Sequence, residues 1–520
     1  MTTTHPLEML SGEEVERATA IVRTDSRFPE AAKFVHVVVH EPDKADLGAG
    51  TAVRAVEVQL VDGPGLGVIE IVVSLIDGAV TSWDMIAGVR PTLLFGEAMH
   101  AIFTTKEHPE YLAALARRGI TDVDNVQIDP WPAGVFGYGA EDDRRIARCI
   151  SFLRTDPQDN GYARPIEGLI VHFDLGRNEV IDVIDHGVVT MPEHHARYFA
   201  ADNEPLRTDL KPIHITQPEG PSFTVEGNLI RWQKWAFRIT FDPYEGLVLH
   251  QLTYTDAGRE RPILHRASIS EMVVPYGAPD ERQGWKNAFD AGEWGLGRMT
   301  QSLTLGCDCL GEIHYFDAVL AREDGEPYTI RNAICMHEED YGILWKHHDL
   351  QGGTDETRRS RRLVVSFIAT VGNYEYGFYW YLYLDGNIQL EAKLTGIVSP
   401  MAVAPGEVPD FANMIAPDPC CTARPSPRWS CPTATRARCT AGRTRSTRAS
   451  GGSGAWPTRS PTVATASVRS ITSTRCSAVS RASRTRLRTR SACTKRTTES
   501  SGSTSTCTAA PPRCAARAGS

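Results

Sequence analysis

The sequence predicts an α+β chain in which two small α+β domains precede a large antiparallel β-sandwich domain. Three observations predict it. Helical periodicity is concentrated before residue 120, interleaved with short apolar strands. The order of helix followed by strands occurs twice, over residues 1–92 and 93–206. Beyond a stretch rich in Pro, Gly and Thr at 205–227, the segments read are short strands between turn residues, the rhythm of a sandwich over 207–419.

The first element is a helix over 7–22. Ser11 and Glu14 have capping-box spacing, and Val15, Ala18, Ile21 and Val22 form one apolar face. Strands follow at 33–39, 52–60, 67–74 and 79–86, apolar or alternating and separated by Asp, Gly and Pro. The second module repeats the order, with helices at 93–105 and 110–118 and strands at 126–130, 145–152, 169–174 and 179–185. In the third region, strands are expected at 223–225, 229–232, 235–241, 247–254 and 259–270. Its clearest hairpin flanks Asp385-Gly386, a type I′ pair, with 378–384 and 388–394.

Charge divides the chain in two. Residues 1–419 carry 36 Lys and Arg against 63 Asp and Glu, a net charge of −27, whereas residues 420–520 carry 18 Arg, one Lys and one Glu, a net of +18. The tail also holds 8 of the 12 cysteines and no His, Phe or Tyr, so it is unlike what precedes it. Three readings compete for it. A basic arm would neutralise phosphate, but such arms mix Lys with Arg. A zinc module would need paired Cys or His at ligand spacing, and neither a CxxC nor a His occurs there. Translation of a GC-rich gene in a shifted frame yields this mixture of Arg, Ser, Thr, Ala, Pro and Cys, and is the reading adopted. The sandwich is therefore expected to be truncated near 419, with a disordered tail and no nucleic-acid partner, because so few apolar residues cannot offset chain entropy. The start lacks a basic-then-apolar leader, and no apolar run of about 18 residues occurs, so the expectation is a cytoplasmic chain with no membrane span.

The most informative run is Thr370-Val371-Gly372-Asn373-Tyr374-Glu375-Tyr376-Gly377, at the start of an aromatic strand. A Tyr in such a strand is ordinarily a packing residue. The run through Phe378-Tyr379-Trp380-Tyr381-Leu382-Tyr383-Leu384-Asp385-Gly386, however, resembles the Asn-Tyr-(Asp/Glu)-Tyr signature of the copper amine oxidases, bacterial branch. The resemblance extends over about 7–417. It implies that Tyr374 is the precursor of topaquinone, that Cu(II) is the metal, and that the chain forms a homodimer. It also implies the reaction R-CH2-NH2 + O2 + H2O to aldehyde, NH3 and H2O2 through a quinone Schiff base. Asn373 and Tyr276, the latter in Val273-Val274-Pro275-Tyr276-Gly277, resemble the residues that orient the quinone.

Asn287-Ala288-Phe289-Asp290-Ala291-Gly292-Glu293 resembles the family segment whose Asp removes the substrate proton. Read alone, Asp before Ala-Gly-Glu is a turn residue; read with Tyr374, it is the candidate base, because a buried carboxylate has its pKa raised toward neutrality. Ala288 replaces a family Tyr that gates the cofactor, and Trp294 replaces another Tyr of the channel wall, so the entrance is expected to be wider. Tyr162 falls near a channel aromatic. Cys309 and Cys335 resemble the family's disulfide pair, whereas a cytoplasmic compartment favours thiols. His337, His347 and His348 are read as structural. The family's copper is held by three His, for which three imidazoles with open positions suit Cu(II). The first two are expected near 423–425, which hold Ala423-Arg424-Pro425, and no His occurs after His348. No metal ligand is therefore assigned, and the alternative to an oxidase is a catalytically dead product in which Tyr374 stays a tyrosine.

Overall fold

A computed structural model describes residues 4–132, 134, 141, 143–193, 197–199, 207–415 and 420–423. The described chain is mostly antiparallel β-sheet with few helices. Helix α1 (Gly12–Thr24) begins where the capping box predicts. Glu14 N donates to Ser11 Oγ at 3.2 Å and Ser11 N to Glu14 Oε2 at 3.0 Å, so the helix starts five residues later than periodicity alone suggests. Its buried face, Val15, Ala18 and Val22, shares a core with the sheet β1 (Lys33–Val39), β2 (Ala55–Val61), β3 (Gly67–Ser74) and β4 (Ala79–Ala87), whose strands lie in sequence order. A six-residue helix, α2 (Lys44–Ala49), was not legible in the sequence, because it buries no side chain and so shows no apolar face.

The second module places α3 (Phe95–Glu107) and α4 (Pro109–Arg117) against the sheet β5 (Val126–Pro132), β6 (Ile146–Leu153), β7 (Pro165–Asp174) and β8 (Glu179–Asp185). Ala101, Tyr111, Ala114 and Leu115 meet Val126, Ile128, Val171 and Phe173 in its core. Every residue of β7 is buried, including the polar Glu167, His172 and Asp174.

The third region contains two five-stranded sheets. One has the order β13-β12-β11-β10-β9, from β9 (Phe223–Glu226), β10 (Leu229–Trp232), β11 (Trp235–Asp242), β12 (Gly246–Asp256) and β13 (Arg259–Ala267). After the two-stranded ribbon of β14 (Val273–Pro275) and β15 (Asn287–Phe289), the other sheet runs in sequence order. It comprises β16 (His314–Ala321), β17 (Pro327–Asp349), β18 (Thr354–Val371), β19 (Tyr374–Tyr383) and β20 (Ile388–Gly396). Trp232, Trp235, Phe237 and Leu249 of the first sheet and Phe367, Phe378, Trp380 and Leu382 of the second belong to one core. Burial of such aromatics is the main source of its cohesion.

Two expectations need correction. The turn between β19 and β20 is not a two-residue type I′ turn. Tyr383 N donates to Asn387 O at 3.0 Å and Gly386 N to Tyr383 O at 3.2 Å, leaving three loop residues, with only Gly386 in the left-handed region at φ 91°. Asn387 also pairs its amide with Asp385, which favours the longer loop. The second correction concerns the tail, expected to be unstructured from 420. Cys420–Ala423 form a strand (β23) between β21 (Met401–Ala402) and β22 (Ala412–Met414), because backbone pairing needs no particular side chain. The rest of the tail lies outside the described residues.

Candidate active site

Two structural devices bring the candidate residues together. The first is the β14–β15 ribbon, in which Pro275 pairs with Asn287 and Tyr276 N donates to Lys286 O at 3.1 Å. Tyr276 leaves one strand as Asp290 leaves the other, and Asp290 N donates to Met272 O at 2.9 Å. Asp290–Trp294 then form a single π-helical turn. The Glu271 carboxylate accepts from the backbone N–H groups of Met272, Ala291 and Gly292 at 2.8–3.1 Å and fixes that turn. Ala291 and Leu296 anchor it in the large core, and Trp294 packs against both that core and the core of the second module.

The second device is the β18–β19 hairpin. Val371 pairs with Tyr374 across Gly372-Asn373, and Gly372 sits at φ 59°, as the first position of a type II′ turn requires. Residues two apart on a strand share a face. Tyr374 and Tyr376 accordingly stack, with ring centroids 6.3 Å apart and planes at 18°. Their hydroxyls meet the two ribbon residues in turn. Tyr276 Oη donates to Tyr374 Oη at 3.5 Å, and Ser399 N donates to the same oxygen at 3.2 Å. Tyr376 lies toward Asp290, where its hydroxyl favours the charged carboxylate.

Asp290 is 2% exposed, and its Oδ2 is buried without a hydrogen-bond partner. Burial pushes its pKa up to about 7 against the opposing Tyr376 hydroxyl, with the Glu271 charge adding to the rise. Burial likewise raises Glu293 to about 8 and holds the Tyr276 phenol well above its ordinary value. A carboxyl that titrates near neutrality, with one oxygen unpaired, can accept a proton from a neighbouring carbon acid.

The other predicted residues fall as follows. Asn373 is buried, and its side-chain amide donates to Ile397 O, while Ile397 N donates to Asn373 O at 2.7 Å. It therefore fixes the backbone leading to Ser399. Ala288 is buried on β15 opposite Val274. Tyr162 packs edge-on against Phe152 at 5.1 Å, in a cluster with Trp131 and Trp285; burial, then the neighbouring Asp129, raise its phenol. Cys309 and Cys335 lie in thiol contact within one small core and are both free, with the Cys309 thiol favoured and the Cys335 thiol disfavoured for ionisation by that contact. His337 contacts Cys335 Sγ at 3.4 Å and Glu339 at 3.3 Å, and His348 bonds Asp355 on an exposed hairpin.

Sequence reasoning missed Tyr376, Lys286, Glu271 and Ser399. Tyr376 was findable, since position i+2 on a strand must share the face of Tyr374. The others come close only through the ribbon and the 397–399 segment, which leave no periodic signal.

The chain is similar to known proteins in sequence and in fold. The enzyme domain of the copper amine oxidases matches residues 224–422, and their N3 domain matches residues 97–202. The primary amine oxidase of Arthrobacter sp. (strain P1) is 48% identical over 416 residues, covering 80% of this chain and 64% of that protein. The histamine oxidase of Arthrobacter globiformis is 47% identical over 422 residues, covering 79% of this chain and 61% of that protein. A crystal structure of a copper-containing benzylamine oxidase from Hansenula polymorpha superposes with a TM-score of 0.72 at 28% identity, over 81% of this chain and 68% of that one. The chain thus spans under two thirds of the length of these curated relatives. With two domain matches in order along the sequence and close to half of aligned residues identical, the chain belongs to the copper amine oxidase family.

Proposed function

We propose that these residues form the amine-facing part of a primary-amine oxidase, which converts R-CH2-NH2, O2 and water to an aldehyde, ammonia and hydrogen peroxide. The observation that carries the reading is the convergence of Asp290, buried and titrating near 7, on the Tyr376–Tyr374–Tyr276 series of rings. Asp290 is the base that takes the substrate's α-proton at its carboxylate, the form dominant above about pH 7. Tyr374 is the side chain from which topaquinone would form, and that quinone would supply the electrophilic carbonyl and take up two electrons. Tyr276 holds the Tyr374 oxygen, and Asn373 holds the backbone beside it. Ala288, Trp294 and Tyr162 belong to the approach of the amine.

Copper does not fit the residues present. No imidazole follows His348, and the positions where the resemblance expects the first two ligands hold Ala423-Arg424-Pro425. Within the reading, residues 1–92 and 93–206 are the two small α+β domains and 207–419 most of a β-sandwich, a division supported by their separate cores. A homodimer is part of it, favoured by the β17–β18 hairpin, which extends exposed Tyr341, Ile343, Leu344, Trp345 and Leu350.

The test has two steps. Purified chain treated with Cu(II) under O2 should give no quinone stain at the Tyr374 peptide. Resequencing the DNA over codons 410–430 should then reveal a frame that restores His after position 423. The protein from that frame should stain and release peroxide from a primary amine. If that protein holds copper and does neither, the oxidase reading falls.

A further inference from the structure

We infer that Lys286 is a positioning residue for Tyr374, because its ammonium group touches both partners that hold the Tyr374 oxygen. The inference rests on the reading of Tyr374 as the reacting side chain. Lys286 is 2% exposed. Its Nζ donates to Ser399 Oγ at 2.9 Å and lies over the rings of Tyr276, at 4.7 Å from the centroid, and Trp131, at 4.8 Å. Ser399 is the residue whose N–H bonds Tyr374 Oη, and Tyr276 is the one whose hydroxyl does. Trp131 in turn meets Tyr276 edge-on at 5.6 Å, so the cation sits between two rings that already brace each other. One charge therefore couples two elements distant in sequence, the β14–β15 ribbon and the 397–399 segment, at the Tyr374 hydroxyl.

The charge is held there by its surroundings. Asp129 of β5 and Glu167 of β7 act on it from the second module, favouring the ammonium, while burial outweighs them and lowers its pKa to about 8. Glu167 is itself fixed by Gln283 Nε2 at 2.8 Å and by Ala402 N at 3.2 Å. A buried Lys anchored in this way costs desolvation and stays where its contacts offset that cost. A Gln or Met would fill the space without gripping both partners.

The test is tetranitromethane nitration of the full chain near pH 7, with each tyrosine quantified by peptide mass spectrometry. Tyr341, which is 52% exposed on the hairpin, is the internal standard. Lys286→Met should speed nitration of Tyr374 about fivefold, the worth of one lost hydrogen bond, and leave Tyr341 unchanged. Lys286→Arg should return the rate toward that of the parent. Ser399→Ala keeps the N–H but removes the anchor, and should give a smaller rise in the same direction; it decides the matter if Lys286→Met fails to fold. An unchanged Tyr374 rate in the folded variants overturns the proposal. So does an equal rise at Tyr374 and Tyr341 with a lowered melting temperature, which marks Lys286 as structural only. The readout needs neither copper nor quinone, so failure of the oxidase reading would appear separately, in the peroxide assay.

Discussion

Glu97 and Asp290 are equally buried, each 2% exposed, and their surroundings are opposite. Glu97, on α3, meets the Arg145 guanidinium with both oxygens at 2.8 and 2.7 Å and accepts from Leu94 N at 3.2 Å. Arg145 is as enclosed as its partner, at 3% exposed. Asp290 faces no cation within ion-pair distance among the described residues, and its Oδ2 has no partner. Burial alone therefore does not mark a functional carboxyl. The informative feature is a buried carboxylate oxygen left unpaired beside the Tyr376 and Tyr374 rings, a combination that suits proton exchange.

The largest expected effect tests the paired side. Glu97→Ala leaves the Arg145 charge enclosed and unmatched, which costs about 3–5 kcal/mol for a buried pair broken on one side. Urea unfolding should show the midpoint fall accordingly. Replacing Arg145 by Met as well should recover part of the loss, and if the double variant is no better than the single, the pair is not the source of the cost.

Asp290→Asn should move stability the other way. An acid with a folded pKa of about 7 and an ordinary value of 3.8 binds its proton more tightly in the fold than in the unfolded chain. Its stabilising contribution is complete below the ordinary value and is lost as pH rises through about 7. Asn cannot ionise, so the variant should be the more stable protein near pH 8, and the difference should close near pH 4. Thermal melts of both proteins across that range measure it. A difference that does not change with pH would place Asp290 alongside Glu97 and remove the contrast. In the quinone-bearing protein, the same substitution should lower the rate of proton abstraction by about 10²–10⁴-fold.

The contrast also explains what the sequence could disclose. Asp290 and Tyr374 were legible because each lies in a contiguous motif, Asn287–Glu293 and Thr370–Gly377. The pairing of Glu97 with Arg145 was not, since 48 positions separate them and neither interrupts a periodic pattern. Strand boundaries at Gly67–Ser74, Glu179–Asp185 and Leu229–Trp232 were read without error because turn residues flank them. The strands β16 to β18 were not read at all. Much of β17 and β18 extends beyond the core as a hairpin with exposed charges on both strands, so the alternation that marks a half-buried strand is lost there. Lys286 escaped for another reason: a lone Lys suggests solvent, and its burial is decided by the rings of Trp131 and Tyr276, which only the fold brings to it.

The smallest effect sharpens the comparison most. Tyr376 is the one hydroxyl that opposes the rise in the Asp290 pKa, and burial together with the Asp290 charge holds its own phenol protonated. Tyr376→Phe keeps the ring, which is 5% exposed and packed in the large core, and removes only the donor. The Asp290 pKa should then rise further, so near pH 8 the variant loses the stabilisation that the hydroxyl gives the carboxylate. A double-mutant cycle with Asp290→Asn should show coupling of about 1 kcal/mol near pH 8, the worth of a single hydrogen bond. Near pH 4, where the carboxyl is neutral, most of that coupling should disappear. Coupling that persists unchanged at low pH would mean that Tyr376 supports Asp290 through packing alone. The carboxyl would then owe its near-neutral titration to enclosure and to Glu271, and Tyr374 would be the only ring of the pair to take part in the chemistry.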